Sequence, residues 1–223
     1  VLTLRAVSKT FATPTGDVAL LRSVSLEIAE GARVAVVGAS ASGKSTLGLI
    51  ATGLLLPDAG AVLVSGHDLT TLDTDGRARL RRREIGLVTS DALLCGSLTV
   101  LDNVCLPLSG PVPDREAREQ GRALLASLSL DDAQDAFPDQ LSPLNQRLVG
   151  LARAAVRLPR LLVADTGSRG LTLDGQRTFT DVLLRLQQRS GAALLMLCDD
   201  PAEGAACDTV LSLRDGTLAE TWR

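Results

Sequence analysis

The chain has 223 residues, 45% of them hydrophobic and 22% charged, which is enough apolar mass for a packed core and unlike the composition of a disordered segment. With 23 Lys and Arg against 26 Asp and Glu, the formal charge of −3 supplies no basic field to draw the chain onto nucleic acid, so no nucleic-acid partner is expected. Cys95, Cys105, Cys198 and Cys207 are too widely spaced for a CxxC motif, and the single histidine, His67, cannot complete a Cys/His zinc cluster. The four read as reduced thiols of a reducing compartment. No apolar run reaches the length of a membrane span, and the opening VLTLRAVSKT lacks the charged-then-apolar layout of a secretory leader, so the chain itself is expected to be soluble.

Taken in chain order, alternating apolar residues predict strands at VLTLRAV (1–7) and SVSLEI (23–28). GARVAVVG (31–38) is a short apolar run stopped by glycine, the pattern of a buried parallel strand entering a turn. A helix follows from 44 to about 52, then the strand AVLVSG (61–66), an arginine-rich helix near 75–83 and the strand IGLV (85–88). This is strand–helix–strand logic and implies a parallel sheet. His67, in SGHDLTTLD, reads as a surface turn residue. From about 91 to 159 the texture becomes helical, as in REAREQGRALLASL (115–128) and SPLNQRLVGLARAAVRL (142–158), which reads as an inserted helical lobe. Strands return at RLLVAD (160–165), a helix spans about 174–189, and AALLML (192–197), DTVLSL (208–213) and TLAETW (217–222) finish the sheet. The expected organisation is one α/β domain over 1–223, its core at about 1–90 and 160–223 and its helical part at about 91–159.

Gly38-Ala39-Ser40-Ala41-Ser42-Gly43-Lys44-Ser45 fits GxxxxGK[ST] between a predicted strand and a predicted helix, the context that phosphate-binding loop requires. Small residues let main-chain N–H groups curl round phosphates, the helix start adds partial positive charge, Lys44 reaches the terminal phosphates and the Ser45 hydroxyl ligates Mg²⁺. Lys9 and Lys44 are the only lysines in an arginine-biased chain, so a lysine in this slot is informative. The apolar run 161–164 ends in Asp165. Alone, such an aspartate caps a helix or turns the chain; paired with the loop, it reads as a Mg²⁺ ligand through water.

The order of segments resembles the ATP-binding cassette (ABC) family over essentially the whole chain. Besides the loop and Asp165, it carries SLTVLDNVCLPL (97–108), FPDQLS (137–142), LARAAVRLPRLLVAD (151–165) and CDTVLSLRDGTL (207–218) in the family's order, worded like subunits that serve lipoprotein-release and macrolide-efflux permeases. The resemblance implies an α/β P-loop NTPase fold with a RecA-like mixed-sheet core, an antiparallel β subdomain and an inserted α-helical lobe. It implies ATP and Mg²⁺ as cofactors, with nucleotide contacts at Gly38, Ala39, Ser40, Ala41, Ser42, Gly43, Lys44, Ser45 and Thr46 and metal contacts at Ser45 and Asp165. Phe11 matches the family's adenine-stacking aromatic, although a phenylalanine beside a strand is otherwise an ordinary core residue.

The family's catalytic side chains are replaced one by one. Thr166 stands for the glutamate after the strand aspartate, and no glutamate follows Asp165 before Glu203. Asp199, in LMLCDDP, stands for the histidine that contacts the terminal phosphate; Ser90, after Thr89, stands for the glutamine. An ionised Asp199 about 4 Å from a phosphate charge would be repelled by about 1 kcal/mol in water and about 4 kcal/mol at an effective dielectric of about 20, so it is expected to turn away or protonate. The signature LSGGQ reads Leu141-Ser142-Pro143-Leu144-Asn145, keeping Ser142 as the contact to a facing subunit's nucleotide but replacing glycines whose backbones approach closely. The stretch 167–172 departs from P-T-x-x-L-D and puts Thr172 where an aspartate is expected.

These departures imply a subunit that holds Mg-ATP with weak or absent hydrolysis. It is expected to pair with a second, competent ABC cassette rather than with itself, on integral membrane permease subunits, cytoplasmic and peripheral to the inner face of the plasma membrane. Two alternatives stand beside it: a slow but genuine ATPase as a homodimer, and an ABC-like interaction module without a permease. A small-molecule kinase fits poorly, because the 137–156 region has no place in that architecture.

Overall fold

The computed structural model describes residues 1–14, 16–167 and 170–220. In chain order its elements are β1 (Leu2–Thr13), β2 (Gly16–Ile28), β3 (Arg33–Val37), α1 (Lys44–Ala51), β4 (Ala59–Val64), β5 (His67–Asp68), α2 (Thr74–Glu84) and β6 (Ile85–Val88). There follow α3 (Val100–Cys105), α4 (Asp114–Ser127), α5 (Pro143–Ala155), β7 (Leu161–Asp165), α6 (Leu173–Ser190), β8 (Ala193–Cys198), α7 (Pro201–Gly204), β9 (Thr209–Arg214) and β10 (Thr217–Glu220).

The strands form two sheets. One is antiparallel, in the order β2-β1-β4-β5; the other runs β10-β9-β3-β8-β7-β6, parallel throughout except for the β9–β10 hairpin at its edge. β1 is longer than its alternation predicts. Beyond Val7 the polar run Ser8–Lys9–Thr10 breaks the apolar pattern, but pairing with β2 carries the strand on to Thr13. A register shift between Leu4 and Val7, with Ala6 at φ +49°, inserts one extra residue and returns Val7 to the buried face one residue out of phase. His67 lies in the short strand β5 rather than in a turn, because Ser65 (φ +49°) and Gly66 (φ +84°) take the two central turn positions and leave His67 paired with Val64; it is exposed.

The parallel sheet is covered on both faces, so its strands are continuous apolar runs. Val34, Val36, Val163, Leu195 and Leu197 face Leu47 and Ile50 of α1 and the antiparallel sheet, while Ala35, Leu162, Ala164, Leu194 and Met196 face α5 and α6. Between β6 and β7 the chain is helical. Asn103 is fully buried there and fastens the preceding loop, accepting from Cys95 N at 2.8 Å and donating toward the Cys95, Leu98 and Thr99 carbonyls.

Caps explain the helix starts. Asp73, Thr99, Ser142, Thr172 and Asp200 each accept a backbone N–H in the first turn of α2, α3, α5, α6 and α7. Pro143 occupies the first position of α5, where a missing N–H costs the helix nothing. α6 ends on Gly191 at φ +67°. Alternation did not predict α7, a single turn begun by Asp200 and Pro201. The end of TLAETW, at Thr221 and Trp222, lies outside the described residues, as do Ser168 and Arg169 of the segment after Asp165. Among the described residues no helix is long and apolar enough to cross a membrane.

Candidate functional site

The sheet order builds the site. β3 pairs with β8 and β9, so the chain leaving Val37 emerges beside Cys198 and Ser212. Gly38 N donates to Cys198 O at 3.3 Å, and a Cβ on Gly38 would lie 2.6 Å from Ser42 Oγ and 2.8 Å from Leu213 O. Only glycine fits there. Ala41 at φ +64° and Gly43 at φ +102° reverse the backbone twice and deliver it to α1. No side chain caps that helix, and its first ladder bond is Leu47 N to Gly43 O at 2.8 Å. The N–H groups of Lys44, Ser45 and Thr46 therefore precede the helical ladder and present partial positive charge, the arrangement that receives anions.

Lys44 is 6% exposed. Its Nζ donates to Gly38 O and Ala39 O, both at 2.8 Å, and pairs with Asp199 Oδ1 at 3.0 Å. Asp199 thus points into the loop, its carboxylate seated on the Lys44 ammonium. Ser45 Oγ donates to Asp165 Oδ2 at 2.7 Å, and Asp165 Oδ1 accepts from Gly167 N at 3.2 Å. The Ser42 hydroxyl is buried with no hydrogen-bond partner among the described residues.

Three of the expected positions converge on Gly167. A Cβ added there would stand 3.2 Å from Asp165 Oδ1, 3.7 Å from Ser90 Cβ and 3.8 Å from Asp199 Oδ2. Thr166 points elsewhere. It is 2% exposed, with Oγ1 3.0 Å from Leu197 O and 2.7 Å from Glu203 Oε2. Glu203, on α7, is half-buried; burial raises its pKa, with Asp199 and Asp200 adding to the rise and Thr166 and Arg147 opposing it. Burial likewise pushes the neighbouring Cys198 thiol up to about 12.

Arg147 is the residue that sequence reasoning missed. It is 2% exposed, donates to Gly167 O at 2.7 Å and Asp165 O at 3.1 Å, and stacks its guanidinium 4.6 Å from the Phe179 ring centroid. Burial lowers its pKa, which the Asp165 and Glu203 charges partly offset. A signal was present: Arg147, Leu151 and Ala155 follow one another at helical spacing on a single buried face of α5.

The remaining positions are more distant. Phe11, on β1, is 39% exposed, its ring centroid 5.6 Å from Lys9 Nζ. Ser142 caps α5, accepting from Asn145 N at 3.2 Å. A cavity of about 720 Å³ flanks the first half of the loop, lined by Gly38 to Ser42, Asp199, Arg22, Arg214 and neighbours from β2 and the β9–β10 turn. Phe11, Lys44 and Ser45 are not in its lining. Among the described residues no group of three or more His, Cys, Asp or Glu is placed to hold a metal ion. The adjoining Ser45 and Asp165 oxygens do fit Mg²⁺, which takes one or two protein oxygens and completes its shell with phosphate and water.

Comparison with known proteins agrees with this geometry. Residues 21–167 match the family model described as ABC transporter. The methionine import ATP-binding protein MetN 2 of Burkholderia mallei is 38% identical over 97% of this chain and 56% of its own length, so the chain spans about half of that relative. The lipoprotein-releasing system ATP-binding protein LolD of Pseudomonas fluorescens is 34% identical over 98% of this chain and 96% of its own length. The macrolide export ATP-binding/permease protein MacB of Syntrophobacter fumaroxidans is 34% identical over 96% of this chain and 30% of its own. Among solved structures, the dimeric ATP-binding cassette MJ0796 bound to ADP and Pi superposes with a TM-score of 0.90 at 29% identity, covering 99% of this chain and 97% of that one. The two-sheet architecture, the loop at the end of β3, the aspartate at the end of β7 and these similarities lead to one conclusion: the chain belongs to the ABC transporter family.

Proposed function

We propose that this chain is the ATP-binding subunit of a transporter, holding Mg-ATP with weak or absent hydrolysis beside a second, competent cassette on integral membrane permease subunits at the inner face of the plasma membrane. The observation that carries the reading is the 2.7 Å approach of Ser45 Oγ to Asp165 Oδ2 next to an intact phosphate loop. In this reading Gly38, its own N–H held by Cys198 O, opens the loop, N–H groups between Ala39 and Thr46 receive the phosphates, Ser42 Oγ finds the partner it lacks, and Lys44 meets the terminal phosphates. Ser45 and Asp165 hold Mg²⁺, which when bound neutralises phosphate charge. Phe11 offers an exposed ring to the base, and Ser142 faces the nucleotide of a neighbouring cassette. The core at about 1–90 and 160–223 carries the loop, and the helical part at about 91–159 carries Ser142.

Weak hydrolysis follows from Thr166. Its hydroxyl is buried against Leu197 O and Glu203 and has no basicity to lend a water, and loss of a positioned base costs about 10²–10⁴ in rate. The second reading, a slow ATPase acting as a homodimer, has one observation in its favour: a carboxylate, that of Glu203, lies 2.7 Å from the hydroxyl of Thr166, the residue that stands where the family has its glutamate. Equilibrium binding and phosphate release, measured on the purified chain and on Lys44→Ala, separate the two. Mg-dependent ATP binding that is lost in Lys44→Ala, with phosphate release at background, is expected; release above background that vanishes in Lys44→Ala favours the slow ATPase. No binding at millimolar ATP ends both readings.

A further inference from the structure

An ammonium has three N–H donors. Those of Lys44 are all spent within the chain, on Gly38 O, Ala39 O and Asp199 Oδ1. The side chain of Lys44 is 7% exposed and that of Asp199 is 40% exposed, so of the two partners the carboxylate is the one free to leave. The backbone of Asp199 is held between the last residue of β8 and the cap of α7, while its side chain lines the same cavity as Gly38 to Ser42. Any phosphate that arrives at this loop needs a donor of Lys44 and meets a negative charge already seated on it.

We infer that Asp199 is an internal counter-anion that competes with the nucleotide for Lys44 and thereby lowers affinity for nucleoside triphosphate more than for diphosphate. The inference rests on the nucleotide reading above. The lysine of such a loop serves the β- and γ-phosphates, so the extra charge of a triphosphate is placed near this carboxylate, whereas a diphosphate brings less charge to the same place. Nucleotide binding moves Asp199 off Lys44; departure of the terminal phosphate lets it return.

Isothermal titration of the full chain with Mg-ATP and Mg-ADP tests this in the wild type, Asp199→Asn and Asp199→Glu. Asparagine keeps an oxygen for Lys44 and removes the charge. It is expected to tighten ATP binding about five- to tenfold, the effect of one unit charge a few ångströms away in largely solvated surroundings, and to tighten ADP binding less. Glutamate, which keeps the charge, stays within about twofold of wild type, and the gain from asparagine disappears at high salt. Equal ATP affinity in wild type and Asp199→Asn, weaker binding in Asp199→Asn, or an equal gain for ADP and ATP overturns the inference while leaving the nucleotide reading intact. If the folded wild type and single variants bind neither nucleotide, the nucleotide reading itself fails.

Discussion

Ser45 and Asp165, 120 residues apart in the chain, touch through Oγ and Oδ2 at 2.7 Å. The contact exists because α1 packs on β7 and starts at the same sheet edge where β7 ends. Removing either oxygen should therefore affect one shared property. Ser45→Ala and Asp165→Asn are each expected to weaken Mg-ATP binding about tenfold, with little change in metal-free ATP binding, and the double variant should be no worse than the weaker single one. Titrations with and without Mg²⁺ measure this; fully additive losses would show that the two residues act separately.

Arg147→Ala removes a buried guanidinium and leaves the carbonyls of Asp165 and Gly167 without their donors. A loss of about 2–4 kcal/mol in unfolding free energy is expected, read as a lower urea midpoint. Arg147→Met, which restores the packing on Phe179 but not the hydrogen bonds, should recover part of it.

Glu203 makes stability depend on pH. Burial raises its folded pKa above the unfolded value, with Asp199 and Asp200 acting in the same direction and Thr166 and Arg147 against it. The native state therefore holds its proton where the unfolded state has released it, and stability falls as pH rises from the unfolded pKa toward the raised one. Thr166 has one hydroxyl proton for two nearby acceptors, Leu197 O and Glu203 Oε2. A neutral Glu203 can donate to Thr166 and free that proton for Leu197. Glu203→Gln mimics this state and is expected to gain about 1 kcal/mol near neutral pH and to flatten this part of the pH profile. Thermal unfolding from about pH 3 to 8, which starts below the ordinary carboxylate values of about 3.9–4.3, checks it.

The cysteines should react unequally. Cys95 is exposed, and hydrogen bonds from Ser97 lower its pKa, whereas burial pushes Cys198 up to about 12 and Cys207 up to about 11 and also raises Cys105. Alkylation of the native protein followed by peptide mass mapping should find Cys95 labelled first and the other three only on unfolding.

Gly43→Ala places a side chain at φ +102° and within 3.2 Å of Leu20 O. A stability loss of about 1–3 kcal/mol is expected, together with loss of nucleotide binding, because relieving the strain changes the direction in which α1 leaves the loop. An unchanged melting temperature with normal binding would contradict the described loop geometry.

The phosphate loop, Asp165 and both faces of the parallel sheet were legible in the sequence because each is a local pattern: a glycine spacing, a strand-end acid, an unbroken apolar run. What was not legible depends on which strands are neighbours. The Lys44–Asp199 pair exists because β8 lies beside β3, and nothing in LMLCDDP states that order. α7 and the second half of β1 were missed since one turn of helix and a polar hairpin arm carry no periodicity. Arg147 was hidden by its charge, which sequence patterns assign to solvent unless a partner is known. The separation of Thr166 from Gly167, Ser90 and Asp199 arises from β-strand alternation at the end of β7, where consecutive residues point to opposite faces.

Arg147 also has a mechanical meaning. Its backbone belongs to α5, the helix that Ser142 begins, while its guanidinium grips the peptide oxygens of Asp165, the last residue of β7, and of Gly167 just beyond it. A tilt of that helix would strain both hydrogen bonds unless the peptide bearing Asp165 moved with it. The helix and the end of the strand are thereby joined through a strut one side chain long.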